Sequence, residues 1–178
     1  MEIFDLHKIA KMLVAPGKGI LASDESVSTL EKHFDEHGIE KTDENRRAYR
    51  ELLFTAPDAN KYISGAILFD ETIRQHTAAG ESFVSVLQKQ GIIPGIKVDL
   101  GTEPLVGAPG ELTTKGIETL PARLAEYYAL GARFAKWRAV FMISEKTPSD
   151  FAIKNNVELL TEYARLCQAA HIVPIVEQ

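Results

Sequence analysis

Stretches with helical periodicity alternate along the chain with short apolar runs. Apolar positions spaced three and four residues apart predict amphipathic helices over residues 2–14, 27–37, 43–55, 81–90, 119–130 and 150–169. Apolar runs bounded by turn residues predict strands over residues 20–24, 63–69, 95–100, 133–141 and 171–177. The Gly-, Pro- and Thr-rich stretch 104–115 is expected to be a long loop. Strands separated by helices in this way predict βαβ units and a parallel sheet.

Residues at the predicted helix ends agree with these boundaries. Asp43 and Ser149 are expected to act as N-caps, because their side-chain oxygens can accept hydrogen bonds from free backbone N–H groups. Gly91 and Gly131 are expected to end helices, since glycine adopts the left-handed conformation of a helix C-terminus without steric cost.

Two lysines lie inside segments that otherwise have the composition of buried strands. Side chains alternate in direction along a strand, so Lys97 shares a face with Asp99, and Lys136 shares a face with Arg138. Trp137 faces the other way and is expected to pack under the helices. A strand buried on both faces should be almost entirely apolar, and burying a lysine without a partner costs about several kcal/mol. The pattern therefore predicts a sheet whose inner face carries charge near the strand ends.

Right-handed crossovers leave two main layouts for such an α/β chain, an open doubly wound sheet or a (β/α)8 TIM barrel. A dinucleotide-binding version of the open sheet would carry a G-x-G-x-x-G fingerprint after its first strand, but Asp24, Glu25 and Ser26 follow that strand here. Charged residues on the strands favour the barrel. A complete barrel needs about 250 residues. The 178 residues are therefore interpreted as a barrel truncated to about its first five strands.

Composition excludes several functional classes. A formal net charge of −5 provides no basic footprint for nucleic acid. Residues 1–5 lead into no long apolar run, so neither a signal peptide nor a membrane span is expected. The single cysteine, Cys167, excludes an internal disulfide and fits a cytoplasmic protein, in which it is expected to be a buried apolar residue. The histidines show no H-E-x-x-H spacing, and His33 and His37, four residues apart, have no third ligand nearby, so no metal site is predicted.

Charged side chains cluster toward the carboxyl ends of the predicted strands, the end where (β/α)8 barrels carry their active sites. They are Asp24, Lys97, Asp99, Lys136, Arg138 and Glu177. Cations and carboxylates that converge there favour an anionic, phosphorylated substrate and acid–base chemistry. Like charge from Arg138 is expected to lower the pKa values of the neighbouring lysines. The alternative is that these charges only pair with one another in a structural network.

Longer motifs resemble those of class I fructose-bisphosphate aldolases and occur in the same order. They are Pro16–Ser26, Glu44–Arg47, Ile67–Thr72, Gly95–Asp99, Phe134–Arg138 and Ile172–Glu177. The resemblance covers nearly the whole chain, so residues 1–178 are interpreted as the N-terminal part of one aldolase barrel domain. It implies a mechanism without metal or other cofactor. A lysine amine forms a Schiff base with the substrate ketone, and fructose 1,6-bisphosphate is then cleaved to dihydroxyacetone phosphate and glyceraldehyde 3-phosphate.

The resemblance also implies roles for particular residues. Three are expected to be catalytic: Asp24 orients the reacting hydroxyl and the lysines, Lys136 supports carbinolamine formation, and Glu177 is the general acid and base. Four are expected to bind the sugar-phosphate substrate, and they are Ser26, Arg46, Lys97 and Arg138. A homo-oligomer is expected for the full-length protein.

The chain also departs from the family pattern. The Schiff-base lysine of the family belongs to the sixth strand, which this sequence does not contain. The segment Ser26-Val27-Ser28-Thr29 stands where the family has Ser-Thr-Gly-Ser, and His33 replaces a phosphate-binding arginine. The isolated chain is therefore expected to lack aldolase turnover and, having two unpaired sheet edges, to associate or aggregate. Two alternatives remain, namely a non-catalytic fragment that binds a sugar phosphate or a partner protein, and another lysine-dependent barrel enzyme of the transaldolase kind.

Overall fold

The computed structural model describes residues 6–178, so the part of the first predicted helix before Leu6 lies outside the described residues. Eight helices are present in this range: α1 Leu6–Leu13, α2 Val27–Glu36, α3 Asp43–Phe54, α4 Ala59–Tyr62, α5 Asp70–Ile73, α6 Phe83–Lys89, α7 Leu120–Leu130 and α8 Asp150–Ala169. Seven strands accompany them: β1 Gly19–Ser23, β2 Ile63–Leu68, β3 Ile93–Lys97, β4 Thr102–Pro104, β5 Leu112–Thr114, β6 Phe134–Arg138 and β7 Val173–Glu177.

The main sheet has five parallel strands in the order β1-β2-β3-β6-β7. This confirms the predicted parallel sheet with helical crossovers, and all five predicted strands are present. The expected loop over residues 104–115 was wrong in part, because β4 and β5 form a short antiparallel hairpin there. Hairpins of this length carry little apolar periodicity, which explains why the sequence pattern missed it. The four-residue helices α4 and α5 were missed for the same reason.

The helix ends agree with the predicted signals at all but one position. Ser149 Oγ accepts a hydrogen bond from Ala152 N at 3.2 Å, and Gly131 adopts the left-handed conformation with φ of 111°. The prediction that Asp43 caps α3 was wrong. Thr42 is the N-cap, and its hydroxyl accepts from Asn45 N at 3.1 Å. Asp43 lies in the first turn instead, where its negative charge still favours the helix dipole.

The outer face of the sheet packs against the helices in the larger apolar cluster. Trp137 is fully buried there, and its ring stacks on Tyr163 with centroids 5.6 Å apart, as its strand parity predicts. Tyr163 donates a hydrogen bond to the Ala135 carbonyl at 2.7 Å and so ties α8 to β6. Cys167 is buried in the same layer, and burial raises its thiol pKa to about 12. Cys167 is thus a buried core residue and not a reactive thiol.

The inner face of the sheet holds a separate, smaller apolar cluster at the amino ends of the strands. Ile9 and Leu13 of α1 pack there against Ile67, Ile93 and Phe134. The helix α1 therefore closes the bottom of the half-barrel. Residues farther along the same strands, on the same inner face, line a cleft at the carboxyl ends.

Candidate active site at the carboxyl ends of the strands

A cleft of about 600 Å³ opens at the carboxyl ends of the parallel strands. Its lining is contributed by the ends of β1, β3 and β6, the segments that follow β1, β2 and β3, and the start of α2. The residues are Ala22, Asp24, Glu25, Ser26, Thr29, Phe69, Lys97, Asp99, Leu100, Gly101, Lys136 and Arg138. Five of the seven predicted site residues lie in this set. Glu177 joins them through an ion pair, whereas Arg46 does not line the cleft.

Lys136 lies at the centre of the charged group. Its Nζ is 3.0 Å from Asp24 Oδ2 and 3.1 Å from Glu177 Oε2. Neighbouring strands are about 4.8 Å apart, so in a flat sheet β1 and β6 would be separated by about 14 Å. A lysine on β6 can reach the carboxylate that follows β1 because the sheet curves with its inner face concave. The ion pair is therefore direct evidence of barrel-like curvature.

The protonation of Lys136 differs from the sequence-based prediction. Burial lowers its pKa, but hydrogen bonds and Coulombic attraction from Asp24 and Glu177 outweigh burial and raise the pKa above its ordinary value. The predicted lowering by Arg138 was wrong for Lys136. Arg138 is more than half exposed, and its Nε is 3.9 Å from Glu177 Oε1, so its charge is turned toward a carboxylate and toward solvent. Lys136 is held as an ammonium ion.

Lys97 is the register partner of Lys136 on the neighbouring strand β3. Its Nζ donates to Asp99 Oδ1 at 2.5 Å and to the Asp99 carbonyl at 3.2 Å. The two lysines thus face the same cleft, but each is neutralised by different carboxylates. Strand parity places Asp99 on the same face as Lys97, but Asp99 is not among the seven predicted site residues. Its spacing of two residues from Lys97 was the signal that could have identified it.

Ser26 caps the helix α2 at the rim of the cleft. Its Oγ accepts from Thr29 N at 3.3 Å and lies 2.9 Å from Thr29 Oγ1. Free backbone N–H groups and the helix dipole make such a terminus favourable for a phosphate group. The hydroxyls of Ser26 and Thr29 add donors at the same point.

Arg46 lies apart from the cleft lining and is almost fully buried. Its guanidinium pairs with Glu71 at 2.8 Å, with Glu31 at 3.3 Å and with Asp43. The hydrogen bonds that Arg46 donates to Glu71 are the main cause that raises the pKa of Arg46 above the ordinary arginine value. Arg46 joins α3 to α2 and α5, and it is the one predicted site residue that the structure does not bring to the others.

The described residues also bear on metal binding and on membrane insertion. Residues 6–178 contain no group of three or more His, Cys, Asp or Glu side chains arranged to hold a metal ion. Within the same range, every helix is too short or too polar to traverse a lipid bilayer.

A concave parallel sheet with helical crossovers and paired lysines and carboxylates at the strand ends defines part of a (β/α)8 barrel with an enzyme-like site. The sequence model of the family described as "Fructose-bisphosphate aldolase class-I" matches residues 5–178. The chain belongs to this family.

Named relatives agree with the family assignment. A "Probable fructose-bisphosphate aldolase class 1" of Xanthomonas campestris pv. campestris is 59% identical over 177 residues, which cover 99% of this chain and 53% of the relative. "Fructose-bisphosphate aldolase 7, cytosolic" of Arabidopsis thaliana is 50% identical over 97% of this chain and 48% of that protein. The chain thus spans about half the length of the curated relatives it matches.

A solved structure supports the fold independently. It is the ternary co-crystal structure of fructose-bisphosphate aldolase from Plasmodium falciparum in complex with TRAP and a small molecule inhibitor. The two chains superpose with a TM-score of 0.94 at 47% identity, over 97% of this chain and 50% of that one. The fold is therefore a TIM barrel truncated to five strands, as predicted, and the family excludes the transaldolase alternative.

Proposed function

We propose that this chain supplies the N-terminal part of a class I, metal-independent fructose-bisphosphate aldolase. The enzyme would cleave fructose 1,6-bisphosphate to dihydroxyacetone phosphate and glyceraldehyde 3-phosphate in glycolysis. The observation that carries the proposal is the group formed by Lys136, Asp24 and Glu177 on the concave face, because it combines a fixed cation with two carboxylates around one cleft. Charged pairs of this kind suit proton transfer to and from a sugar hydroxyl.

The chemistry assigns the three catalytic residues distinct roles. An amine adds to the substrate ketone to give a carbinolamine, which loses water to form an iminium ion. A base then removes the C4 hydroxyl proton, the C3–C4 bond breaks, and the iminium ion accepts the electron pair of that bond. Lys136, kept protonated by its two carboxylates, would stabilise the carbinolamine oxygen. Glu177 is more exposed than Asp24 and so is better placed to exchange protons with substrate. Asp24, almost buried, would orient the hydroxyl and the lysines.

Phosphate binding is assigned to the cations and the helix terminus at the rim. Lys97 and Arg138 line the cleft from neighbouring strands, and Ser26 lies at the N-terminus of α2. Arg46 remains a prediction as a substrate contact. It could reach an anion only after releasing Glu71 and Glu31, so the role that its contacts support is to hold α2 in place.

The nucleophile of the proposed reaction comes from outside this sequence. Lys136 is a poor substitute because a raised pKa leaves little free amine, and Lys97 is engaged by Asp99. We expect no turnover when purified chain is incubated with fructose 1,6-bisphosphate. Borohydride reduction followed by peptide mass spectrometry should show no adduct on either lysine. Turnover together with a trapped adduct on Lys97 or Lys136 would overturn this expectation.

The proposed activity itself is tested in a longer chain. Residues 1–178 are joined to the remaining half of the Xanthomonas campestris relative, and cleavage is followed by a coupled assay. We expect turnover in the chimera, and a loss of at least about 100-fold on Lys136→Met, in the range of a lost donor that stabilises developing charge. Lys154→Met removes an exposed lysine on α8 and serves as the matched control, with turnover unchanged. A correctly folded chimera without turnover would contradict the proposed function.

A second candidate is a non-catalytic fragment that binds a sugar phosphate or a partner protein. The observation that favours it is that both lysines lining the cleft are paired with carboxylates, which leaves them suited to binding an anion rather than to acting as a free amine. Calorimetry with fructose 1,6-bisphosphate on the isolated chain, beside the turnover assay, separates binding from catalysis. The related Plasmodium falciparum aldolase was crystallised in complex with TRAP, which supports protein binding as a property to examine.

The two edge strands of the sheet favour self-association of the chain. Within the described residues β1 and β7 each have a single neighbour in the sheet, and Val176 on β7 is largely exposed. Unpaired edges of this kind favour association, so we expect sedimentation velocity to show species larger than a monomer. A single monomer peak at high concentration would count against association.

A homo-oligomer is proposed for the full-length protein. A cytoplasmic location is proposed as well, supported by the relative named as cytosolic.

A further inference from the structure

Asp99 has contacts that single it out among the acidic residues of the cleft. Its side chain is almost completely buried just after β3, and it accepts from Lys97 Nζ at 2.5 Å through Oδ1. The same Oδ1 accepts from Gly101 N at 3.1 Å, which fixes the carboxylate to the backbone leading into β4. The Asp99 carbonyl accepts a second hydrogen bond from the same ammonium at 3.2 Å.

We propose that Asp99 is a positioning residue that fixes the direction of the Lys97 ammonium so that it presents one N–H to a phosphorylated ligand. An ammonium has three donors, and Asp99 engages two of them. The Lys97 side chain remains about one-fifth exposed and lines the cleft, so its third donor is available there. The inference rests on the proposed function, which supplies the anionic ligand.

A contribution to fold stability does not explain why the Asp99 carboxylate is buried. Asp99 Oδ2 is buried and has no hydrogen-bond partner among the described residues. An unsatisfied buried carboxylate oxygen costs folding free energy, and such groups concentrate at functional sites. Lys136, held by Asp24 and Glu177, does not contact Asp99 in the ion pairs of the cleft, so the role of Asp99 is directed to Lys97.

A positioning role and a simple counter-ion role predict opposite changes in the affinity for an anion when Asp99 is removed. If Asp99 only neutralised Lys97, its removal would make the cleft more positive and would tighten the binding of an anion. If Asp99 orients Lys97, its removal frees a flexible side chain and weakens binding even though the net charge becomes more favourable. The sign of the change therefore separates the two roles.

The experiment measures fructose 1,6-bisphosphate binding by calorimetry on the full chain. We expect Asp99→Ala to weaken binding roughly tenfold, the size of one lost hydrogen bond to a charged group. Asp99→Asn keeps an acceptor for Lys97 and should stay within about threefold of the unchanged chain. Glu103→Ala removes the same charge from an exposed position on β4 and is the matched control, with binding unchanged. Equal or tighter binding by Asp99→Ala would overturn the proposal.

Lys97→Arg provides a second variant that does not depend on the folding of an Asp99 variant. It keeps the charge, but the planar guanidinium cannot repeat the arrangement of the ammonium, so positioning predicts weaker binding. Unchanged affinity in Lys97→Arg would overturn the proposal as well.

A readout without ligand distinguishes failure of this inference from failure of the proposed function. Amines are acetylated competitively in the unliganded chain, and Lys97 and Lys136 are quantified by mass spectrometry. Asp99→Ala should increase acetylation of Lys97 severalfold and leave Lys136 unchanged. The proposed function fails if the folded chimera shows no turnover, whereas the labelling decides by itself whether Asp99 holds Lys97. Equal labelling of Lys97 in both proteins would overturn the inference.

Discussion

The two ends of the same inner sheet face differ in chemistry. On β6, Phe134 lies at the amino end and is fully buried, whereas Lys136, two residues later on the same face, lies in the cleft. On β7 the same change occurs between Val173 and Glu177. Since strand side chains repeat every two residues, one strand supplies both environments without any change in backbone geometry. Position along the strand therefore decides whether an inward-facing side chain packs in the apolar cluster or lies in the charged cleft.

The amino and carboxyl ends of the strands also differ in how much they stabilise the fold. At the amino end, Phe134 packs with Ile9, Leu13 and Ile93, and burial of each such side chain stabilises the fold by about 2 kcal/mol. At the carboxyl end, desolvation of Lys136 and Asp24 offsets much of their mutual attraction. We call the apolar cluster around Phe134 at the amino ends the lower layer, and the charged group around Lys136 at the carboxyl ends the upper layer. We expect the lower layer to contribute stability, and the upper layer to contribute little when its charges are paired.

The largest expected effect comes from the lower layer. A Cβ on Gly95 would overlap ring atoms of Phe134, its register partner across β3 and β6. Gly95→Ala should lower the free energy of unfolding by about 3 kcal/mol, as overpacking of a filled core does. Urea denaturation followed by circular dichroism measures the change.

Gly19→Ala is the matched control for that substitution, because its Cβ would have no neighbour within 4 Å. It should change the free energy of unfolding by less than about 0.5 kcal/mol. Combining Gly95→Ala with Phe134→Leu should recover part of the loss by making room for the methyl group. Equal effects of the two alanine substitutions would contradict the close packing of the lower layer.

A smaller effect is expected in the upper layer. Lys136→Met leaves the buried carboxylate of Asp24 without its cation and should lower the free energy of unfolding by about 2 kcal/mol. The double variant Asp24→Asn with Lys136→Met removes both charges and should return to within about 1 kcal/mol of the unchanged chain, since a paired set of charges adds little net stability. The same urea titration tests both variants. A double variant as unstable as Lys136→Met would show that the charged layer stabilises the fold beyond its pairing.

The smallest effect concerns alkaline pH. The pKa of Lys136 is raised in the folded chain because Asp24 and Glu177 outweigh its burial. Its contribution to stability is therefore complete below the ordinary lysine pKa of about 10.4 and is lost as pH rises through the higher folded value. Between those pH values the unchanged chain should lose stability more steeply than the Lys136→Met variant. Parallel slopes in thermal melts across that range would contradict the raised pKa.

Much of the fold could be predicted from local pattern. The five parallel strands and the longer helices follow from apolar periodicity, and strand parity placed Lys97 and Lys136 on the inner face and Trp137 on the outer face. The β4–β5 hairpin and the cap at Thr42 were not predicted, because short elements and single hydrogen bonds leave weak sequence signals. The Arg46 network was missed for another reason, since its partners Glu31 and Glu71 belong to other helices.

The sequence by itself determined the order of elements, the faces of the strands and the family, because these depend on residue periodicity and on motifs contiguous in the chain. Only the tertiary structure decided which charges meet. Asp24 and Lys136 are 112 residues apart, and the curvature of the sheet brings them to 3.0 Å. That contact reverses the predicted pKa shift of Lys136, because a pKa depends on the distance to every neighbouring charge and on burial, neither of which a linear pattern contains.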